Sequence, residues 1–193
     1  YKDTPGLLMY LLGNENNYGL FWAGAETESF PDEEEEKLFI GESRGRPMYK
    51  LMNEATKKIK ALDDAHPVAI CNGDVLFIDI IAEECPDIDI YGTNTYRGAS
   101  FGDMFKVVKE KLNKPLMFTE FGADAFNEIG KEEDQFSQAF YMVENWKEIY
   151  QNAAGLGLVG NSIGGFTFQF SDGWWKFGFD DRKNADRHDS NAS

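Results

Sequence analysis

The chain is poor in cysteine: Cys71 and Cys85 are the only two in 193 residues. They are too few for a disulfide framework and too far apart to suggest a metal site. Cys71 sits in an apolar run and Cys85 just before Pro86, so both read as free, buried or part-buried thiols, with a single disulfide left open as the alternative. Basic charge is short as well, 19 Lys and Arg against 34 Asp and Glu, a formal net charge of −15. That balance argues against nucleic acid or an anionic membrane as the main partner and reads chiefly as solubility. No apolar run approaches the roughly 20 residues that span a bilayer, and no secretory signal pattern opens the chain. The chain begins with Tyr1 rather than Met, which reads as a processed or truncated start; the compartment stays open. Of the two histidines, His66 precedes Pro67 and His188 lies near the end. Neither has a second ligand at metal spacing, so no metal is expected, and no cofactor. A Gly-Lys-Ser/Thr phosphate loop, a dinucleotide glycine fingerprint and a His-Glu-x-x-His pair are all missing, as is a nucleophile elbow around a serine.

What remains is a pattern of short apolar runs and amphipathic stretches. Leu7–Gly13 is a continuous apolar run, consistent with a strand buried on both faces of a parallel sheet. Glu15 follows, then a loop rich in amide and aromatic groups that includes Trp22. Glu26–Glu42 is strongly acidic and reads as a solvated insertion, with a site for a cation or a basic partner as the alternative. From Pro47 to Leu62, Met48, Leu51, Met52, Ala55, Ile59 and Leu62 fall at helical spacing, with Pro47 suited to a first helical turn. His66-Pro67 introduces a second strand, Val68–Cys71. Val75–Glu84 reads as a helix or an irregular apolar turn. Ile88, Ile90 and Tyr91 form a third strand leading into Gly92–Tyr96, and Phe101–Leu112 an amphipathic helix. A fourth strand, Pro115–Thr119, ends in Glu120. Gln135–Ala153 is the clearest helix, with Phe136, Ala139, Phe140, Val143, Trp146 and Tyr150 on one face and Trp146 expected in the core. Gly164–Phe170 is a fifth strand, followed by Asp172, Trp174 and Trp175. Residues 1–179 read as the folded part and 180–193 as a polar tail, poorly ordered.

Strands alternate with helices, and polar and aromatic residues gather where strands end, which is the signature of βα repeats with function at the carboxyl ends of parallel strands. The expected fold class is α/β, a (β/α)₈ TIM barrel. Five strands are too few to close an eight-stranded barrel, which typically takes about 250 residues. The chain therefore reads as the later part of a barrel, and further polypeptide is expected to complete it.

Two apolar runs end in a glutamate beside a glycine: Leu11-Leu12-Gly13-Asn14-Glu15 and Phe118-Thr119-Glu120-Phe121-Gly122. Desolvating an unpaired carboxylate costs several kcal/mol, roughly, so two such strands suggest acids that converge on one cleft. Cleaving a glycosidic bond needs one carboxylic acid for the leaving oxygen and one carboxylate on the other face of the sugar. Glu15 and Glu120 are the candidate pair, against the blander alternative of solvent-facing acids at strand ends.

In order along the chain, Leu12–Glu15, Asp63 through Pro67-Val68, Asn94-Thr95-Tyr96, Pro115 through Asp124 and Gly165 through Asp172 resemble the catalytic barrel of the family 2 glycoside hydrolases. These are the β-galactosidase and β-glucuronidase group of the retaining Asn-Glu clan. The resemblance implies that the chain covers roughly strands four to eight. It implies Glu15 as acid/base and Glu120 as nucleophile, with Asn14 holding the sugar 2-hydroxyl and Tyr96 orienting the nucleophile. The family's strand-eight tryptophan is replaced by Phe168, with Trp174 or Trp175 a few residues on as possible substitutes. Trp22, Trp174 and Trp175 read equally as packing residues and as sugar platforms. The function implied is a retaining β-glycoside hydrolase acting on a carbohydrate substrate. A transglycosylase, a β-glucanase of the same clan and a non-catalytic carbohydrate-binding or assembly subunit are the alternatives.

Overall fold

The structure is a computed structural model that describes residues 1–21, 34–127 and 130–170. Its centre is a five-stranded, fully parallel sheet. The strands are β1 (Tyr10–Leu12), β2 (Val68–Gly73), β3 (Ile90–Asn94), β4 (Leu116–Phe121) and β7 (Ser162–Thr167). Between them lie α1 (Glu34–Leu62), α2 (Ile78–Glu84), α3 (Met104–Lys111) and α4 (Gln135–Gln151). A small antiparallel hairpin, β5 (Phe126–Asn127) with β6 (Glu132–Glu133), precedes α4 and forms a separate sheet.

In the main sheet the spatial order β1-β2-β3-β4-β7 follows chain order without reversal. A doubly wound sheet reverses at a switch point and carries helices on both faces. A sheet that always winds onward keeps its helices on one face, which is how a barrel is built. Burial agrees. On one face Ile70, Tyr91, Leu116 and Phe118 meet Tyr49 of α1, Ile81 of α2, Met104 and Val108 of α3 and Ile149 of α4. The other face carries a much smaller cluster, Ala69, Ile90 and Met117 with Met9. Ala69/Ile70, Ile90/Tyr91 and Met117/Phe118 alternate between faces, as the two-residue period of a strand requires. Phe101 stacks on Phe118 with ring centroids 4.0 Å apart, and Phe105 and Phe121 meet both rings edge-on.

Several sequence expectations are corrected. The helix expected at Pro47 begins at Glu34 and holds Pro47 in its interior. Residues 34–42 of the acidic stretch expected as a solvated insertion thus belong to this helix, and its earlier residues, 26–33, lie outside the described residues. Proline costs the helix one backbone bond and about 3 kcal/mol. Packing offsets this: a Cβ on Gly45 would already touch Leu20 at 3.5 Å and Ile80 of α2 at 3.7 Å, so the helix lies close against its neighbours. Arg46 further ties α1 to Glu83 and Glu84 of α2, at 2.5 and 3.1 Å. The first strand was expected to be buried on both faces; it is only three residues long, pairs with β2 alone among the described residues, and leaves Leu11 exposed. Trp146 was expected in the core. It stacks edge-on against Phe121 at 5.2 Å yet is 41% exposed, and Phe136, Phe140, Val143 and Tyr150 beside it are exposed too. Helical periodicity marks an apolar face but cannot say what covers it. Of the two readings of Val75–Glu84, the helix is the one found. Both cysteines are buried and free.

Candidate active site

The loop after β1 turns through two left-handed residues, Gly13 at φ 73° and Glu15 at φ 53°. Glycine adopts this conformation freely, whereas a glutamate pays about 1–3 kcal/mol for it. The Glu15 backbone N–H donates to the Cys71 carbonyl of β2 at 3.0 Å, and its own carbonyl accepts the Tyr18 N–H at 3.0 Å. Glu15 is thereby suspended over the carboxyl end of β2. Glu120 is set differently, inside β4, opposite Asn94 of β3 across a register shift at Thr93/Asn94. Its carbonyl accepts the Thr95 N–H at 2.9 Å. The glycine two residues on has its own reason: a Cβ on Gly122 would lie 2.3 Å from the Phe168 carbonyl oxygen. Only glycine lets the chain beyond β7 approach this closely, where the Phe168 N–H donates to the Phe121 carbonyl at 2.8 Å.

Both glutamate side chains are half-buried at the same end of the sheet. Two strands lie between β1 and β4, so their backbones are separated along the sheet by three steps of about 4.8 Å. Side chains from the intervening strands bridge that gap. Asn94 donates from Nδ2 to Oε1 of Glu15 at 3.0 Å and to Oδ1 of Asn14 at 3.1 Å. Its Oδ1 accepts from Thr119 Oγ1 at 2.6 Å and from Cys71 Sγ at 3.1 Å. Tyr96 donates its phenol to Oε2 of Glu120 at 3.0 Å.

Electrostatics report the same convergence. Burial, then the Glu120 carboxylate, raise the Tyr96 pKa, with smaller contributions from Glu15 and Asp124. The phenol therefore stays protonated and remains a donor. Burial pushes the Cys71 thiol up, and both Glu120 and Glu15 add to it. The thiol thus lies within electrostatic reach of both carboxylates. Tyr18 is raised by burial and then by Glu15 and Asp74. Asp74, after β2, pairs with Arg97 through both carboxylate oxygens, one of them to Nε at 2.8 Å, and Arg97 also donates to the Phe101 carbonyl at 3.0 Å. This ion pair fastens the loops after β2 and β3 together beside the glutamates.

Of the residues singled out from sequence, Asn14, Glu15, Tyr96 and Glu120 come together, and Phe168 lies just beyond β7 at the same end of the sheet. Trp22, Trp174 and Trp175 lie outside the described residues. Asn94, Cys71 and Thr119 were missed as site residues. The available signal was a polar residue interrupting an apolar strand, Cys71 after Val68-Ala69-Ile70 and Asn94 after Ile90-Tyr91. Among the described residues no group of acidic, histidine and cysteine side chains is arranged to hold a metal ion.

No family model matches the chain, and no curated protein matches it. Solved structures do. A β-glucuronidase of Bacteroides uniformis superposes with a TM-score of 0.50 at 15% identity, over 86% of this chain and 19% of that one. A GH113 β-mannanase of Alicyclobacillus acidocaldarius gives 0.47 at 13% identity, over 65% of this chain and 41% of that one. An agarase gives 0.47 at 12% identity, over 80% and 24%. The chain thus spans less than half the length of these structures. At such identities the likeness is one of fold, and it agrees with the winding of the sheet: the chain is a consecutive run of βα units from a (β/α) barrel of the kind glycoside hydrolases use.

Proposed function

We propose that the chain carries the catalytic pair of a retaining β-glycoside hydrolase of the family 2 type. The observation that supports this best is the placing of Glu15 and Glu120 at one end of a parallel sheet, with Asn94 bonded to Glu15 and to Thr119, the residue before Glu120, and Tyr96 bonded to Glu120 itself. In the first half-reaction the Glu120 carboxylate attacks the anomeric carbon as the glycosidic C–O bond breaks, and Glu15 gives its proton to the departing oxygen. In the second, Glu15 as carboxylate takes a proton from water, whose oxygen displaces Glu120 from the sugar. Retaining enzymes hold the two carboxyl groups about 5–5.5 Å apart. Tyr96 fixes one oxygen of the nucleophile, and Asn14 is suited to the sugar 2-hydroxyl. The partner is a carbohydrate rather than nucleic acid or membrane, in keeping with the net charge of −15. Further polypeptide supplying the remaining βα units completes the barrel, in keeping with the apolar side chains exposed on α4 and β7.

The test uses the full-length protein against 4-nitrophenyl β-mannoside, β-glucuronide and β-galactoside, a panel suggested by the mannanase, glucuronidase and agarase among the similar structures. Glu120→Gln should abolish turnover, and the matching 2-deoxy-2-fluoro glycoside should leave an ester on Glu120. Wild-type-like hydrolysis by Glu120→Gln would sink the assignment. A second reading, a non-catalytic sugar-binding subunit, draws on the phenylalanine at Phe168; sugar binding without labelling would favour it. Transfer to an added sugar in place of water would instead mark a transglycosylase.

A further inference from the structure

Four adjacent strands each send one polar group to the face away from the helices at the level of the glutamates. They are Asn14 after β1, Cys71 of β2, Asn94 of β3 and Thr119 of β4. Asn94 is the hub. A primary amide has two N–H donors and two acceptor lone pairs, and here all are used: Nδ2 toward Glu15 and Asn14, Oδ1 toward Thr119 and Cys71. The amide orientation follows from its partners. Oε1 of Glu15 accepts whether or not the other oxygen carries a proton, so the nitrogen faces Glu15, and hydroxyl and thiol donors complete the oxygen side. Asn94 is 1% exposed, so water cannot replace any of these bonds without moving the strands.

We infer that Asn94 is the positioning residue of the site, holding one oxygen of Glu15 and locking its strand to the one that bears Glu120. Its bond to Oε1 of Glu15 leaves the acid's proton on the other oxygen, Oε2, where a leaving group would collect it. The bond to Thr119 fixes the residue just before Glu120, so one amide sets both ends of the catalytic pair. Glu15 lies in a left-handed turn just past a three-residue strand, and among the described residues Asn94 is the side chain that bonds its carboxyl group. The bonding pattern stands by itself; its effect on turnover rests on the glycosidase reading.

Two measurements on the full-length protein test this. The first compares Asn94→Ala with wild type on the 2,4-dinitrophenyl and phenyl β-glycosides of whichever panel sugar is cleaved. Dinitrophenolate leaves without a proton, whereas phenolate needs one. Loss of a correctly aimed acid should therefore cut kcat/KM, which reports the step in which the phenol departs, about 100-fold on the phenyl glycoside and by less than roughly tenfold on the dinitrophenyl glycoside. Equal falls on both substrates would mean that Asn94 merely supports the fold, and would overturn the inference. The second measurement needs no turnover. The ¹H–¹⁵N signals of the Asn94 side-chain amide, identified by their loss in Asn94→Asp, should shift and exchange faster with solvent in Glu15→Ala. Signals indifferent to Glu15 would overturn the inference equally. Unimpaired turnover by Glu120→Gln removes the glycosidase reading but leaves this amide measurement decisive for the bonding itself.

Discussion

Tyr96 gives Glu120 a hydrogen bond from a phenol that burial and the carboxylate itself keep protonated. A hydrogen bond to a charged group is worth about 1.5–3 kcal/mol. Tyr96→Phe should therefore lower kcat/KM roughly 10- to 100-fold while leaving the melting temperature nearly unchanged, which steady-state kinetics beside thermal unfolding would check. Gly122→Ala makes the opposite prediction. Its Cβ would sit 2.3 Å from a backbone oxygen that cannot swing aside, so β4 and the chain after β7 must part. The variant should lose about 1–3 kcal/mol of stability, measured by denaturant unfolding, and activity with it. At this scale the sequence was readable where a residue type announces itself. Glu15 and Glu120 stand out as charges ending apolar runs, and Tyr96 follows from the order of motifs. Asn94 and Cys71 acquire meaning only through strand register, which brings residues 57 and 80 positions from Asn14 to the same point.

Among the elements, the join between α1 and β2 illustrates how a turn holds an edge strand. Asp63 accepts from the Ala65 and His66 N–H groups at 3.0 and 3.3 Å, from the Tyr10 phenol at 2.9 Å, and pairs with His66 Nδ1 at 2.8 Å. Burial alone would raise its pKa; the bonds from His66, Tyr10 and the backbone outweigh burial and lower it to about 2. An unfolded aspartate titrates near 3.9, roughly, so this carboxylate contributes stability above that pH and loses it as pH falls toward 2. Asp63→Asn should be less stable than wild type at pH 7, with the gap closing between about pH 4 and pH 2. Acid titration followed by circular dichroism would check this, and a gap independent of pH would refute it. The turn itself was legible in Asp63 through Pro67, while the helix before it was not. Pro47 reads as a helix start because proline fits a first turn. The long helix tolerates it through contacts of Gly45 and Tyr49 with other elements, which no local pattern displays.

For the whole molecule, alternating runs sufficed to anticipate a parallel βα architecture, because strand and helix periods differ and the two patterns take turns along the chain. What they could not anticipate is which apolar faces meet partners. Phe136 is 81% exposed and Tyr150 74% on α4, and Ile163 and Phe166 of β7 are exposed as well. Isolated exposed apolar residues are ordinary, but a run of aromatics along one helix face is the mark of a covered surface. If neighbouring βα units lie over α4, Phe140→Glu or Tyr150→Lys buries a charge against them. Such a substitution should destabilise the full-length protein by more than about 2 kcal/mol, whereas the same change on a solvated face stays within about 0.5 kcal/mol. Lys147→Glu, on α4 with its side chain 56% exposed and pairing with Glu144, serves as the control for a surface charge change on the same helix. Denaturant unfolding of the three variants decides the matter: losses at Phe140 and Tyr150 several times that at Lys147 mean that α4 is an internal helix of a larger barrel, and equal small losses mean that its aromatic face meets only water.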